Sequence, residues 1–147
     1  MIRPAAPHEA PAIDAVVQAA YAPWVPVVGR RPLPMDDDYE ARVAAGEAFV
    51  LDEAGVIAGI LVLEEAEEYL LLDNVAIDPA RRGGGLGRVL IAFAEAEAVR
   101  RGFPEIRLYT NVKMARNVAL YEQLGFRRLA VEEMAPGFVR QWMAKTL

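Results

Sequence analysis

The spacing of apolar residues changes several times along the chain, and each spacing predicts one kind of element. In residues 7–20 the apolar side chains recur every three or four positions, as on the buried face of a helix. From Ala48 they alternate with polar residues or form short runs bounded by turn residues, a pattern typical of strands. The helical spacing returns in residues 86–101 and stops at Gly102, a residue type that commonly ends helices.

These spacings predict an alternation of strands and helices over the whole length. The predicted strands cover residues 2–5, 49–52, 56–64, 69–77, 106–111, 126–133 and 139–144, and the predicted helices cover residues 7–20, 39–45, 86–101 and 115–124. The strands between residues 49 and 77 are joined by short turns and predict an antiparallel meander, whereas residues 69–111 predict a strand, helix, strand unit. Because no linker, repeat or low-complexity tract interrupts the pattern, residues 1–147 are predicted to form a single α/β (α+β) domain.

Residues 21–38 interrupt this regular alternation. They contain four prolines, two aromatic residues, the pair Arg30 and Arg31, and an acidic triplet, a composition that predicts a loop. The triplet directly precedes the predicted helix at residues 39–45, where negative charge is favoured by the helix dipole.

The composition removes several kinds of chemistry. The chain has no cysteine, no serine and a single histidine, His8. Serine and cysteine nucleophiles are therefore excluded, as are thiolate or multi-histidine metal sites, and we expect no bound metal. What remains is chemistry by carboxylates, tyrosines and backbone amides, together with whatever group a bound cofactor brings.

The charge and the apolar runs bear on partners and location. A net charge of −5 argues against a general affinity for nucleic acid. No apolar run approaches the roughly 20 residues that a membrane span requires, and the first residues lack the charged and apolar regions of a secretory signal. We therefore expect a cytoplasmic protein that binds neither nucleic acid nor membrane, and a homodimer is compatible with the sequence.

A glycine-rich turn connects one predicted strand to the following predicted helix. Residues 81–87 read RRGGGLG, and successive backbone N–H groups at such a helix start can converge on one phosphate. A tight turn with nothing bound is the alternative, but four glycines in five positions exceed what a turn requires. The Walker and dinucleotide patterns are both absent, since Gly87 is followed by Arg88 and Val89.

The pattern that does fit is R-x-x-G-x-G, formed by Arg82, Gly85 and Gly87 after a strand that ends in Asp-Pro. It resembles the acetyl-CoA pyrophosphate loop of the GNAT superfamily of N-acetyltransferases. A second segment, NVALYEQLGF at residues 117–126, resembles the helix with a tyrosine, followed by Gly-Phe, that forms the second CoA-binding segment of this superfamily. The resemblance implies a mixed, mostly antiparallel, twisted sheet of about six to seven strands flanked by about four helices.

The resemblance also implies acetyl-CoA as the cofactor and CoA as the product. The N–H groups of the glycine turn would hold the pyrophosphate, and the end of the preceding strand would pair its main chain with the pantetheine arm. The cofactor-binding residues expected on this basis are Val75, Ala76, Ile77, Arg82, Gly83, Gly84, Gly85, Leu86, Gly87, Arg88, Asn117 and Tyr121.

Tyr121 lies four positions after Asn117, so both share one face of the predicted helix. In enzymes of this superfamily a tyrosine here protonates the departing CoA thiolate, which a phenol with a pKa of about 10 can do. A tyrosine buried only for packing is the alternative. Many members place the CoA-contacting asparagine seven residues before the tyrosine, where Met114 stands, so Asn111 or Thr110 are alternatives to Asn117.

Direct transfer to an amine also requires a proton acceptor, because an ammonium group must lose a proton before it attacks a thioester. Asp73 is the candidate base: it alternates with Leu71, Val75 and Ile77 in an apolar strand, and burial would raise its pKa. A structural aspartate bonded to the backbone or to an arginine is an equal alternative.

The resemblance implies that residues 21–39 and the last two strands hold the acceptor. Its expected contacts are Tyr21, Trp24 and Tyr39, which offer aromatic faces, and Arg30 and Arg31, which suit a carboxylate. A solvated loop is the alternative. We therefore expect an N-acetyltransferase that moves acetyl from acetyl-CoA to a primary amine of a small molecule, without an acyl-enzyme. A protein N-terminus or lysine as acceptor, and a non-catalytic acyl-CoA-binding module, are the alternatives.

Overall fold

A computed structural model describes all 147 residues, which form one seven-stranded sheet with helices on both faces. The strands are β1 (Ile2–Pro4), β2 (Ala48–Glu53), β3 (Val56–Glu65), β4 (Leu70–Ile77), β5 (Glu105–Asn111), β6 (Arg127–Ala135) and β7 (Phe138–Thr146). The helices are α1 (Ala10–Tyr21), α2 (Val25–Val28), α3 (Tyr39–Ala44), α4 (Leu86–Arg100) and α5 (Ala115–Gln123). All the predicted strands and helices are confirmed in kind and order.

The strands lie in the order β1-β2-β3-β4-β5-β7-β6. Every neighbouring pair is antiparallel except β4 and β5, which are parallel because α4 carries the chain back across the sheet between them. β7 lies between β5 and β6, so β6 forms an edge of the sheet. This is the mixed, mostly antiparallel sheet that was expected.

Two hydrophobic clusters lie on opposite faces of the sheet. On one face α4 contributes Leu90 to a cluster that contains Leu61 of β3. On the other face α1 contributes Ile13 to a cluster that contains Ile60. The neighbours Ile60 and Leu61 thus face opposite layers, as the alternation of side chains along a strand requires.

A β-bulge in β4 determines where the functional side chains lie. Val62 pairs with Asn74, but the next residue of β3 pairs with Leu72, so Asp73 is an extra residue in β4. The bulge reverses the alternation, and Asp73 and Asn74 both direct their side chains toward α1 and α3. Regular alternation would place Asp73 on the face of Val75 and Ile77, but those two residues pack on the α4 side.

The same bulge marks the point where β4 and β5 separate. The two strands pair only through Leu70–Leu72 and Ile106–Leu108, although both continue for several residues. Beyond these pairs the ends of β4 and β5 diverge and leave a cleft open between them.

Residues 21–38, expected to be a loop, contain short helical elements instead. α2 forms a single turn, and 3-10 turns occupy Ala22–Trp24 and Leu33–Asp36. Pro23, Pro26 and Pro34 stand in the first turn of these elements, where a missing N–H breaks no helical hydrogen bond. Three of the four prolines that predicted a loop therefore lie in the first turn of these helical elements.

Candidate functional site

A cleft of about 260 Å³ lies where β4 and β5 separate, and we call it the β4–β5 cleft. Residues of α1, α4 and α5 complete its walls. Among the expected cofactor residues, those that line it are Val75, Ala76, Ile77, Arg82, Gly87, Asn117 and Tyr121. The other expected cofactor residues, Gly83, Gly84, Gly85, Leu86 and Arg88, belong to the turn and helix start at the end of this cleft.

The second half of β4 presents an unpaired backbone edge to the cleft. The Asp78 N–H donates to the Ala58 carbonyl at 2.9 Å, beside β3. Because backbone groups alternate in an antiparallel pair, those of Val75 and Ile77 point away from β3. No strand pairs with β4 on that side beyond Leu72. The edge can therefore bind the amide groups of a ligand as it would bind an added strand.

The glycine turn leads from β4 into α4. Gly83 and Gly85 have φ angles of +86° and +74°, in the left-handed region that favours glycine. Gly87 lies within the first turn of α4, and a Cβ added there would meet no atom within 4 Å. Packing inside the chain thus does not require glycine at Gly87, whereas a ligand that approaches the helix N-terminus would.

Tyr121 projects from α5 into the same cleft. Its ring packs on Phe126 with the centroids 5.8 Å apart, which restricts the orientation of the phenol. The hydroxyl group makes no hydrogen bond to another residue of the chain, and burial raises the pKa of Tyr121 to about 12. The phenol is therefore protonated at neutral pH, and its proton is available to a ligand.

A smaller cavity of about 60 Å³, here called the Tyr21 pocket, adjoins the β4–β5 cleft. Tyr21 and Met114 line both cavities, so the two lie on either side of these residues. The other lining residues of the Tyr21 pocket are Pro32, Leu33, Pro34, Asp73, Tyr109, Thr110, Asn111, Met134, Phe138, Val139 and Arg140. Its walls thus come from the segment before α3, from the bulge of β4, and from β5, β6 and β7.

Asp73 stands at the boundary of this pocket with both carboxylate oxygens bonded. Oδ2 accepts from the Arg42 guanidinium at 3.2 Å, and Oδ1 accepts from the Tyr109 hydroxyl at 3.1 Å. Burial raises the pKa of Asp73, while the charge of Arg42 and the bond from Tyr109 oppose that shift. Arg42 also pairs with the carboxylates of Asp37, Glu47 and Glu64. The arginine pairing agrees with the structural interpretation of Asp73, and the raised pKa agrees with the catalytic one.

The basic side chains without an ion pair gather near the two cavities. These side chains are Arg30, Arg82, Arg88, Lys113 and Arg116, whereas every other arginine or lysine contacts a carboxylate. Arg81, the first residue of the RRGGGLG stretch, is paired with Glu53 at 3.0 Å. In a protein of net charge −5, a local group of free cations indicates a site for an anionic ligand.

Lys113 and Arg116 form one wall of a further cavity at the mouth of the cleft. This cavity measures about 370 Å³ and also contacts Arg82 and Trp24. The Arg116 guanidinium lies 5.8 Å from the centre of the Trp24 ring, within the range of a cation–π contact. Sequence reasoning missed Lys113 and Arg116, although Arg116 directly precedes the NVALYEQLGF segment and Lys113 lies three residues earlier.

Three of the expected acceptor contacts lie at the cavities. Tyr21 separates the β4–β5 cleft from the Tyr21 pocket, and Trp24 lines the cleft and its mouth. The Arg30 guanidinium lies 4.6 Å from the centre of the Phe138 ring, which belongs to the Tyr21 pocket.

The other two expected contacts, Arg31 and Tyr39, lie outside these cavities. Arg31 is held by an ion pair with Asp36 at 3.0 Å on an exposed surface. Tyr39 is buried, and its hydroxyl donates to the Pro34 carbonyl and accepts from the Asn74 amide at 3.0 Å. The expectation that these two side chains contact the acceptor directly therefore needs correction.

Sequence reasoning also missed three side chains around Asp73. Arg42, Tyr109 and Asn74 come from three different elements, and no spacing along the chain connects them. Only Asn74 could have been noticed in the sequence, because an amide between apolar residues of a predicted strand requires hydrogen-bond partners if it is buried.

β4 and β5, the only parallel strand pair, separate beside a glycine-rich helix start. This geometry places the protein in the class of acetyltransferase-like proteins. Comparison with known proteins agrees, since residues 13–126 match the model of the Acetyltransferase (GNAT) family. The protein belongs to the GNAT acetyltransferase family.

Curated relatives include two kinds of acetyltransferase. The chain is 31% identical over 83 residues to the [ribosomal protein bS18]-alanine N-acetyltransferase of Escherichia coli K12, a match that covers 56% of each protein. It is 40% identical over 60 residues to the mycothiol acetyltransferase of Kocuria rhizophila, which covers 41% of this chain and 20% of that protein. The chain thus spans about half of the first relative and a fifth of the second.

Solved structures share the fold over nearly the whole chain. The ribosomal-protein-S18-alanine N-acetyltransferase from Escherichia coli superposes with a TM-score of 0.78 at 24% identity, covering 99% of this chain and 92% of that one. The PaiA N-acetyltransferase from Thermoplasma acidophilum, solved with coenzyme A, gives a TM-score of 0.81 at 15% identity and covers 100% and 98%.

No helix combines the length and the apolar character needed to cross a membrane. No group of three or more histidine, aspartate or glutamate side chains is arranged to hold a metal ion.

Proposed function

We propose that this protein is an N-acetyltransferase that moves the acetyl group of acetyl-CoA to the primary amine of a small molecule, by direct transfer. The observation that supports this proposal best is the β4–β5 cleft. An unpaired strand edge, a glycine-rich helix start and the free hydroxyl of Tyr121 all meet there. The chain also lacks serine and cysteine, so an acyl-enzyme on either residue is excluded.

The residues present fit acetyl-CoA along the length of the cleft. The N–H groups of the glycine turn, with Arg82 and Arg88, would hold the pyrophosphate at the start of α4. The backbone groups of Val75 and Ile77 would pair with the amides of the pantetheine arm. Lys113 and Arg116 add positive charge at the mouth, where the remaining phosphate of the cofactor can be neutralised. When bound, acetyl-CoA supplies an acetyl thioester that an amine can attack without further activation.

Two groups of the chain would stabilise charge that develops during transfer. A backbone N–H of the unpaired β4 edge suits an oxyanion, and the Tyr121 hydroxyl suits a departing thiolate. A phenol with a pKa of about 12 is a weaker acid than a thiol of pKa about 8.5, and full proton transfer would cost about 5 kcal/mol. Tyr121 is therefore proposed to donate a hydrogen bond to the thiolate sulfur and to keep its own proton, and the thiolate takes up a proton from water as CoA leaves.

Asp73 is proposed as the group that accepts the proton of the acceptor amine. It lines the Tyr21 pocket, which lies beside the β4–β5 cleft, and burial shifts its pKa upward toward the pKa of a useful base. The ion pair with Arg42 keeps the carboxylate in place at the bulge of β4.

The size and lining of the Tyr21 pocket favour a small acceptor. The cavity holds about 60 Å³, and its walls are largely apolar apart from Asp73, Arg140 and the polar groups of β5. This suits an amine on a short apolar group. A protein N-terminus is the second candidate, because the 31% identity to an enzyme named for alanine of ribosomal protein bS18 favours it.

The test is CoA release with a panel of small primary amines, peptides that begin with alanine, and lysine peptides. A thiol reagent reports CoA without background, since the chain has no cysteine. We expect release with at least one small amine, and a kcat at least about tenfold lower for Tyr121→Phe with little change in the Kd of acetyl-CoA. Tyr69→Phe, at a tyrosine outside both cavities, is the matched control.

Three results would change the assignment. Release only with alanine peptides would identify a protein N-terminus as the acceptor. Binding of acetyl-CoA with no release above hydrolysis from any amine, and no effect of Tyr121→Phe, would identify a non-catalytic acyl-CoA-binding module. Failure to bind acetyl-CoA at all would refute both interpretations.

A further inference from the structure

A chain of three hydrogen bonds connects the Pro34 carbonyl to the hydroxyl of Tyr21. Tyr39 donates its hydroxyl proton to the Pro34 carbonyl, which can only accept. The Tyr39 oxygen then accepts from the Asn74 amide nitrogen at 3.0 Å. The amide oxygen of Asn74 accepts from the Tyr21 hydroxyl at 2.8 Å.

The Pro34 carbonyl determines the direction of all three hydrogen bonds. Because the Pro34 carbonyl has no proton, Tyr39 must donate to it and must accept from Asn74. This orients the Asn74 amide, so that its oxygen faces Tyr21. Asn74 is buried, and no other orientation of its amide keeps all these bonds.

The single proton of the Tyr21 hydroxyl is therefore committed to a partner within the chain. The next nearest oxygen, the Val75 carbonyl at 3.5 Å, is also an acceptor and would take the same proton. Toward any ligand the Tyr21 oxygen can offer only its lone pairs. Burial raises the pKa of Tyr21, so the group remains a neutral phenol rather than a phenolate.

Tyr21 lies where an oxygen that can only accept a hydrogen bond could contact the acceptor amine. Its side chain lies between the β4–β5 cleft and the Tyr21 pocket and lines both. Its hydroxyl lies beside the Val75 carbonyl, on the unpaired edge of β4. An acceptor that reaches from the pocket toward a thioester in the cleft would therefore come close to this oxygen.

We propose that the Tyr21 oxygen accepts a hydrogen bond from the N–H of the acceptor amine and so orients the amine for attack, with Asn74 and Tyr39 as positioning residues that fix the direction of this bond. The inference rests on the proposed function. It assigns Tyr39 an indirect effect on the acceptor, exerted through Asn74.

The test compares Tyr21→Phe, Tyr39→Phe and Asn74→Leu with the parent protein, using whichever amine of the panel gives the fastest CoA release. Tyr21→Phe removes the accepting oxygen and keeps the ring. Tyr39→Phe removes the acceptor of the Asn74 amide, so the amide can turn and donate to Tyr21 instead. We expect the KM for the amine to rise at least about tenfold in Tyr21→Phe and severalfold in Tyr39→Phe and Asn74→Leu.

A merely structural role would move other quantities. The Kd of acetyl-CoA, measured by calorimetry, should stay within about twofold in Tyr39→Phe, because the Tyr39 side chain lies outside the β4–β5 cleft. Tyr69→Phe should leave the KM for the amine unchanged. If Asn74→Leu fails to fold, the two tyrosine variants alone decide.

The outcomes separate this inference from the proposed function. An unchanged KM for the amine in Tyr21→Phe, with active parent protein, overturns the inference and leaves the proposed function standing. An effect in Tyr21→Phe without one in Tyr39→Phe overturns the roles of Asn74 and Tyr39. No CoA release by the parent protein with any amine overturns the proposed function, and the inference with it.

Discussion

Gly85 offers a test of the cofactor site with a matched control elsewhere in the chain. Gly85 and Gly46 both have a φ of +74°, and a Cβ added at either would meet no atom within 4 Å. Gly85 ends the glycine turn before α4, whereas Gly46 follows α3, away from the β4–β5 cleft. Alanine at the two positions should therefore cost the same backbone strain, but only Gly85→Ala should affect acetyl-CoA.

The strain can be stated in advance. A non-glycine residue in the left-handed region costs about 1–2 kcal/mol, which lowers the melting temperature of a domain of this size by about 3 °C for each kcal/mol. Acetyl-CoA at a hundred times its Kd stabilises a protein by about 2.7 kcal/mol. If Gly85→Ala weakens binding tenfold, that stabilisation falls to about 1.4 kcal/mol, close to half.

Thermal unfolding with and without acetyl-CoA measures both effects in one experiment. We expect the same loss of stability for Gly85→Ala and Gly46→Ala without ligand, and the full ligand-induced shift only for Gly46→Ala. Calorimetric titration of the folded variants gives the Kd values directly. An equal ligand-induced shift in the two variants would refute the assignment of the glycine turn to the cofactor.

Two further predictions follow from the charges. Replacing Lys113 and Arg116 together by glutamine should raise the Kd of acetyl-CoA about tenfold at low salt and reduce the salt dependence of binding. Calorimetry at two salt concentrations measures both effects, with Arg100→Gln as a control remote from the cleft. An unchanged salt dependence would contradict the prediction. Burial raises the folded pKa of Asp73 above its unfolded value of about 3.9, so ionised Asp73 costs stability at neutral pH, a cost that disappears as the pH falls through the folded pKa. Asp73→Asn should therefore be at least as stable as the parent at pH 7 in urea unfolding and should lose that advantage toward pH 4, while its rate of acetyl transfer falls. A stability advantage that grows at low pH would show that the direction of the Asp73 pKa shift is wrong.

The glycine turn and the segment around Tyr121 could be predicted because their chemistry is local. A left-handed φ at Gly83 and Gly85 and an open position at Gly87 depend on the residue itself and on the helix that follows. The phenol of Tyr121 needs only the correct face of α5, which helical spacing determines. Such features can be identified without knowing which strands are neighbours.

The acceptor side could not be predicted in the same way. Arg42 reaches Asp73 from α3, and Tyr109 reaches it from β5, so their meeting depends on strand order. Lys113 and Arg116 stand out because they form no ion pair while most other arginines do. Those ion pairs also depend on the folded chain. Sequence reasoning also assigned Arg31 to the acceptor because of its charge, but Asp36 holds that charge.

The bulge at Asp73 explains why the residues that could not be predicted lie close together in the structure. A register shift of one residue changes no residue type, so the alternating pattern of β4 reads the same with or without it. In the folded chain, β4 and β5 stop pairing at this residue, and the backbone of Val75 and Ile77 becomes available to a ligand. The same extra residue directs Asp73 and Asn74 to the α1 side, where Tyr21 stands between the two cavities. Since one irregularity in β4 produces both the unpaired edge and the polar groups beside it, any change that restored regular pairing along β4 would remove the cofactor edge and the acceptor pocket together.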